Sequence, residues 1–261
     1  MRNLWFLCLA FAASGVCQAD TAFLQSSADT TLIAIAPDNN LGAAGFFNSG
    51  INGRSYESRG LFSFDFSSIP PGSRITSASL TLEVVREPVE TSSSSYFAFY
   101  RVLRPWGEGT KTHDGTPSLP INPGLGNLAT EGDATWNDRF YGGAAPWAAP
   151  GGAPGIDFAP TISAELPIGG IFESPYTLAN DPGIGGDIQF WIDHPEANFG
   201  WMFITEGTDI RNARSFASRE DPLGRGPLLV IDYTPVPEPA SWMFLSAGAL
   251  GLFWTVFRRK R

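Results

Sequence analysis

The sequence predicts an all-β protein with two antiparallel sheets packed face to face, and three observations lead to that fold class. Glycine and proline number 29 and 21 in 261 residues, too many for a helical protein and suited to short strands joined by loops. Several segments alternate apolar and polar side chains with a period of two. Between two apolar terminal segments lie residues 20–234, long enough for one large domain with its own core. An all-β body of that size must close or pair its sheets to bury the inward faces.

Taken in order, residues 1–19 read as a signal peptide. Arg2 supplies the positive start, Leu4 to Val16 the apolar core, and Cys17-Gln18-Ala19 the small-residue site, so cleavage after Ala19 is expected. Both cysteines, Cys8 and Cys17, fall inside it. The mature body would then rely on packing, with no disulfide, catalytic thiol or thiolate metal centre.

Within the body, 30–35 is the first candidate strand. In 61–66, Phe62, Phe64 and Phe66 share one face. Turn residues at 67–73, including Pro70-Pro71-Gly72, break that strand. From Ile75 to Val85 the alternation resumes, with Ala78, Leu80, Leu82 and Val84 on one side and Ser77, Ser79, Thr81 and Glu83 on the other. One side is core and the other is wet. Further strands are expected at 96–103, 156–166, 199–205 and 228–233. Residues 184–192 read as a short amphipathic helix, because Ile184, Ile188 and Trp191 fall on one face. No internal repeat is visible.

The stretch 107–155 is the least regular, dominated by Gly, Pro, Ala and Asn with Trp136 and Trp147 embedded just after Trp106. A long loop with aromatics suits a binding rim. Trp147, between Pro146 and Ala148, is the first candidate for an exposed sugar platform; Tyr141 is the second and Trp136 the third. For Trp106 and Trp136 a core or loop-pinning role is the plainer reading and the sugar platform the alternative, since a buried indole needs a partner for its N–H.

Charge narrows the partners. The chain has 17 basic and 26 acidic residues, and the terminal segments hold five of the cations, Arg2, Arg258, Arg259, Lys260 and Arg261. The remaining body is strongly acidic, which repels phosphate backbones and argues against nucleic acid. Glu108, Asp114, Glu131, Asp133 and Asp138 supply oxygens of the kind calcium takes, yet no segment has calcium-loop spacing. No cofactor is expected beyond such a structural ion, and solvated loop carboxylates are the plainer reading.

Catalysis has little support. Only His113 and His194 exist, and no Gly-x-Ser-x-Gly elbow is present. A carboxylate pair for glycoside cleavage depends on the fold and not on spacing. The expected class is a non-catalytic exported protein; the alternative is a secreted polysaccharide lyase or hydrolase.

The last segment, 235–261, is the most specific. Val236-Pro237-Glu238-Pro239 cannot continue a strand or helix, because two proline rings fix φ and remove two donors. An uncharged apolar stretch, 241–257, follows and suits a single transmembrane helix. The basic tail 258–261 should stay cytoplasmic, leaving the body outside.

These three parts, in this order at the C-terminus, resemble the PEP-CTERM sorting signal of Gram-negative bacteria. That resemblance implies a membrane protease, exosortase, that recognises the Pro-Glu-Pro segment and releases the protein to the cell surface or extracellular matrix. Inside the body, Arg59-Gly60-Leu61-Phe62-Ser63-Phe64-Asp65, Trp106-Gly107-Glu108-Gly109, Ala134-Thr135-Trp136-Asn137 and Ala217-Ser218-Arg219-Glu220 before Gly226-Pro227-Leu228-Leu229 resemble the DNRLRE domain. The chain departs from that family at Ser218-Arg219-Glu220 and in its longer Gly/Pro insertion. The resemblance implies a jelly-roll-like antiparallel β-sandwich related to carbohydrate-binding modules, hence association with exopolysaccharide in a biofilm or floc.

Overall fold

The computed structural model describes residues 18–88, 94–112 and 123–236. In chain order the strands are β1 (Asp20–Ile33), β2 (Asn39–Asn40), β3 (Phe46–Ile51), β4 (Glu57–Phe64), β5 (Arg74–Leu82), β6 (Val84–Arg86) and β7 (Ser95–Arg101). They continue with β8 (Asn127–Leu128), β9 (Asp138–Phe140), β10 (Ala145–Pro146), β11 (Ala164–Ile168) and β12 (Tyr176–Ala179). After helix α1 (Pro182–Asp193) come β13 (Trp201–Glu206), β14 (Arg214–Ala217) and β15 (Leu228–Thr234).

Two antiparallel layers result. One has the order β11-β7-β13-β4-β1 and the other β1-β15-β5-β12. β1 serves both, because an irregularity between Ser26 and Ala28 turns it from β15, paired through Gln25, onto β4. A wing of β3, β14 and β6 adds Phe47, Phe216 and Val84 to the same interior. The main core holds Phe62, Phe64, Phe97, Phe99, Trp201 and Phe203 from the first layer against Leu80, Leu82, Leu229 and Ile231 from the second. Ring pairs such as Phe99–Phe203, 4.6 Å between centroids, fill it. The fold is therefore the expected β-sandwich.

Alternation located several elements well. Ala78, Leu80, Leu82 and Val84 are all buried, as are Phe62 and Phe64; Phe66, just past β4, stacks on Trp191 at 5.9 Å. The helix runs two residues further back than expected. Pro182 takes its first turn and Asp181 caps it, accepting from the Gly183 and Ile184 amides at 2.8 and 3.2 Å.

Three expectations need correction. The strand predicted at 156–166 exists only over Ala164–Ile168, because the buried Asp157 carboxylate gathers the Ala148 and Ala153 amides at 2.8 Å and curls the preceding chain into a loop. The first strand begins at Asp20 instead of 30, and β3 was missed. Most consequentially, the described parts of the stretch 107–155 form no open rim. They fold over the outer face of β1, β4 and β13, packing Ala134 and Trp147 onto Leu32, Leu61, Met202 and Ile204 as a second apolar cluster.

Candidate functional site

The sorting tail departs from an edge of the body. β15 ends at Thr234, opposite Arg74, and Val236 is 56% exposed. At the other terminus Asp20 pairs with Tyr233, so both ends of the body leave from one pole of the sandwich. Gln18 and Ala19 are exposed and lie outside any strand. Pro237, Glu238, Pro239, the expected helix 241–257, the basic tail 258–261 and signal residues 1–17 lie outside the described residues. Among the described residues no helix is long and apolar enough to cross a membrane.

The aromatic candidates are placed differently from the expectation. Trp147 is only 3% exposed, and its indole N–H donates to the Thr135 carbonyl at 2.9 Å. It is a core residue and offers no free ring face, because it fills the space above Leu61 and Met202. Trp136 is half-buried. The Arg59 guanidinium lies 5.3 Å from its ring centroid, and Gly151 approaches so closely that a Cβ there would sit 2.6 Å from the indole Cη2. Tyr141 is half-buried at the turn between β9 and β10, its backbone fixed by bonds with Asp133 and Gly132. The structure thus scatters the three rings among core, loop pin and turn.

The expected acidic oxygens are already engaged in two cases. Asp133 closes a turn by accepting from the Thr130 amide at 2.8 Å. Glu108 accepts from Arg219 Nε and Nη2 at 2.7 and 2.8 Å, and from the Asp29 amide at 2.9 Å. Asp114 and His113 are outside the described residues, while His194 is exposed and stacks on Phe190 at 4.6 Å. Among the described residues no group of three His, Cys, Asp or Glu side chains is placed to hold a metal.

Sequence segments far apart converge on one clasp. The Ala134 amide donates to the Gly107 carbonyl at 2.7 Å, and Asn40 Nδ2 donates to the carbonyls of Glu108 and Ala134 at 2.8 and 2.9 Å. Gly107 is required there, since any Cβ would strike the Gly132 carbonyl. Arg219 ties its backbone to Asp29 Oδ2 at 2.8 Å and also meets Glu220 Oε1 at 2.7 Å. Burial pushes the Asp29 carboxyl up to about 8, with Glu220 and Glu108 adding to the shift against the Arg219 backbone bond. Glu108 and Glu220 therefore share the Arg219 guanidinium, while Asp29 is held by the Arg219 backbone amide.

A further opening lies elsewhere and was not foreseen. A cleft of about 630 Å³ separates the first half of β5, Arg74 to Ala78, from α1. It is lined by Ser73, Thr76, Asn180, Asp181, Gln189 and Asp193, among others. The helix is held in place by burying Ile184, Ile188 and Trp191, and by Asp187, which accepts from Trp201 Nε1 at 2.8 Å and from the Ser163 hydroxyl. Burial also raises the Asp187 carboxyl, opposed by those two bonds and by Arg101. The sequence signal that could have found it is the Gly185-Gly186 pair inside the continuous helix, where a Cβ on either residue would meet open space.

Comparison with known proteins gives one family and one negative result. No curated protein matches the chain. A family model described as the PEP-CTERM protein-sorting motif matches residues 235–260, directly after the last strand. That motif marks the chain as an exported protein, processed by an exosortase-type membrane enzyme and directed to the surface or exterior.

Proposed function

We propose that this is a non-catalytic cell-surface or matrix protein of a Gram-negative bacterium. It waits at the inner membrane through residues 241–257 until the enzyme acts near Val236-Pro237-Glu238-Pro239. Its DNRLRE-like, jelly-roll-like body then associates with exopolysaccharide in a biofilm or floc. The observation that carries this reading is the sorting motif at 235–260, set immediately beyond a body whose first and last strands are paired. The body has a complete core and an acidic, cysteine-free composition suited to a hydrated polymer.

Purified 20–234 incubated with a glycan panel tests the binding part. Retention without new reducing ends or unsaturated products is expected. Appearance of such products would make the protein an enzyme, and neither retention nor products would leave a purely structural role.

A further inference from the structure

We propose that the cleft between β5 and α1 is a subsite for neutral, hydroxyl-rich sugar units, an assignment that rests on the glycan-associated reading above. Its volume of about 630 Å³ falls in the range that buries a small ligand. The lining combines donor and acceptor types that vicinal hydroxyls satisfy: the side-chain amide of Asn180, the carboxylates of Asp181 and Asp193, and the Arg74 guanidinium, while the Ser73 and Thr76 hydroxyls already donate to the Pro70 and Asp232 carbonyls. Much of that capacity is unspent within the described protein. Asp193 meets only Gln189 Nε2, at 3.3 Å to each oxygen, and Asp181 uses Oδ1 alone to cap the helix. Arg74 is exposed, and only its backbone carbonyl has a side-chain partner among the described residues.

The helix flank supports the same use. Gly185 lines the cleft, and a Cβ there would meet nothing within 4 Å. Packing therefore does not demand glycine, and glycine is the poorest helix former after proline. Its effect is to leave bare backbone on one wall, over which the C–H face of a sugar ring can slide closely.

An extended peptide suits this cleft less well. Strand addition needs a run of free backbone groups, but Gln189 takes the Ile75 amide at 2.9 Å and the Ser73 carbonyl at 3.0 Å, and the Asn180 amide takes the Ala78 carbonyl at 2.7 Å. Little of the edge remains for a peptide. A uronate polymer is disfavoured by charge, since two carboxylates face one guanidinium within an acidic body.

The test uses the exported protein with its C-terminal segment in place, in mild detergent, titrated with neutral gluco-, manno- and galacto-oligosaccharides, a polyuronate and an extended-peptide library. Neutral oligosaccharides should bind. Asp193→Ala and Gly185→Phe should each weaken binding by about tenfold or more, with Asp193→Ala, an exposed change, leaving the melting temperature unaltered. Should Gly185→Phe unfold, Asp193→Ala and Arg74→Ala carry the decision alone. Neutral-sugar binding that survives these variants overturns the cleft assignment but leaves the glycan reading standing. Cleft-dependent capture of polyuronate or peptide instead overturns the ligand class, and no glycan bound by any form removes both readings.

Discussion

Asp29 is 1% exposed, and burial raises its carboxyl from 3.8 to about 8. Between those two pH values the folded protein holds a proton that the unfolded chain releases, so this residue makes stability fall as pH rises from about 4 to about 8 and adds no slope beyond. Asp29→Asn keeps an acceptor for the Arg219 amide and removes the titration. Denaturant midpoints measured across that window should decline less steeply in the variant, and an unchanged slope would show that Asp29 is ionised throughout. The residue was invisible as a special group in the sequence. Its burial depends on Glu108 and Arg219, 79 and 190 positions away, and only folding brings them together.

The elements divide according to how many of their faces are buried. β5 was legible because Ala78, Leu80 and Leu82 face the core while Ser77, Ser79 and Thr81 do not. β3 was not, because Phe46 and Phe47 are both buried, on opposite faces and in different clusters, which erases the alternation. The first half of β1 was hidden for the opposite reason: Phe23 points outward at 71% exposure, between the inward Ala22 and Leu24. The edge strand β11 shows natural protection, with Glu165 and Pro167 on its exposed positions.

Two substitutions test these elements. Trp147→Ala should cost about 3–5 kcal/mol by leaving a cavity over Leu61 and Met202, read as a lower denaturation midpoint. Glycan retention at a temperature where the variant stays folded should be unchanged, because that ring is enclosed. Gly185→Ala should raise stability by up to about 1 kcal/mol, since the added methyl meets open space on a helix. A fall in midpoint would mean the glycine is structurally required.

At the scale of the whole molecule, the pairing of Asp20 with Tyr233 puts the expected signal-peptide junction and the sorting tail at one pole. From there the chain has only a few residues, 237–240, before the apolar stretch, so this pole stands within roughly 15–20 Å of wherever that stretch resides. Substituting Glu238 should leave the protein unprocessed in the membrane fraction, whereas deleting 242–261 should let it escape unsorted. Fractionation showing the same distribution for both variants and the parent would remove the sorting account.

The sequence by itself determined the properties that are local or additive: the sorting motif, the acidic balance, the all-β class, and cleanly periodic elements such as β5 and α1. Those need only neighbouring residues, because periodicity and proline chemistry act within a few positions. Tertiary structure decided what depends on distant partners. It turned Trp147 from an outward ring into core, closed the described parts of 107–155 over a sheet, joined Asp29, Glu108 and Arg219, and opened a cleft between β5 and α1. The physical reason is that burial and charge coupling are properties of assembled surfaces, and no spacing along the chain encodes which surfaces meet.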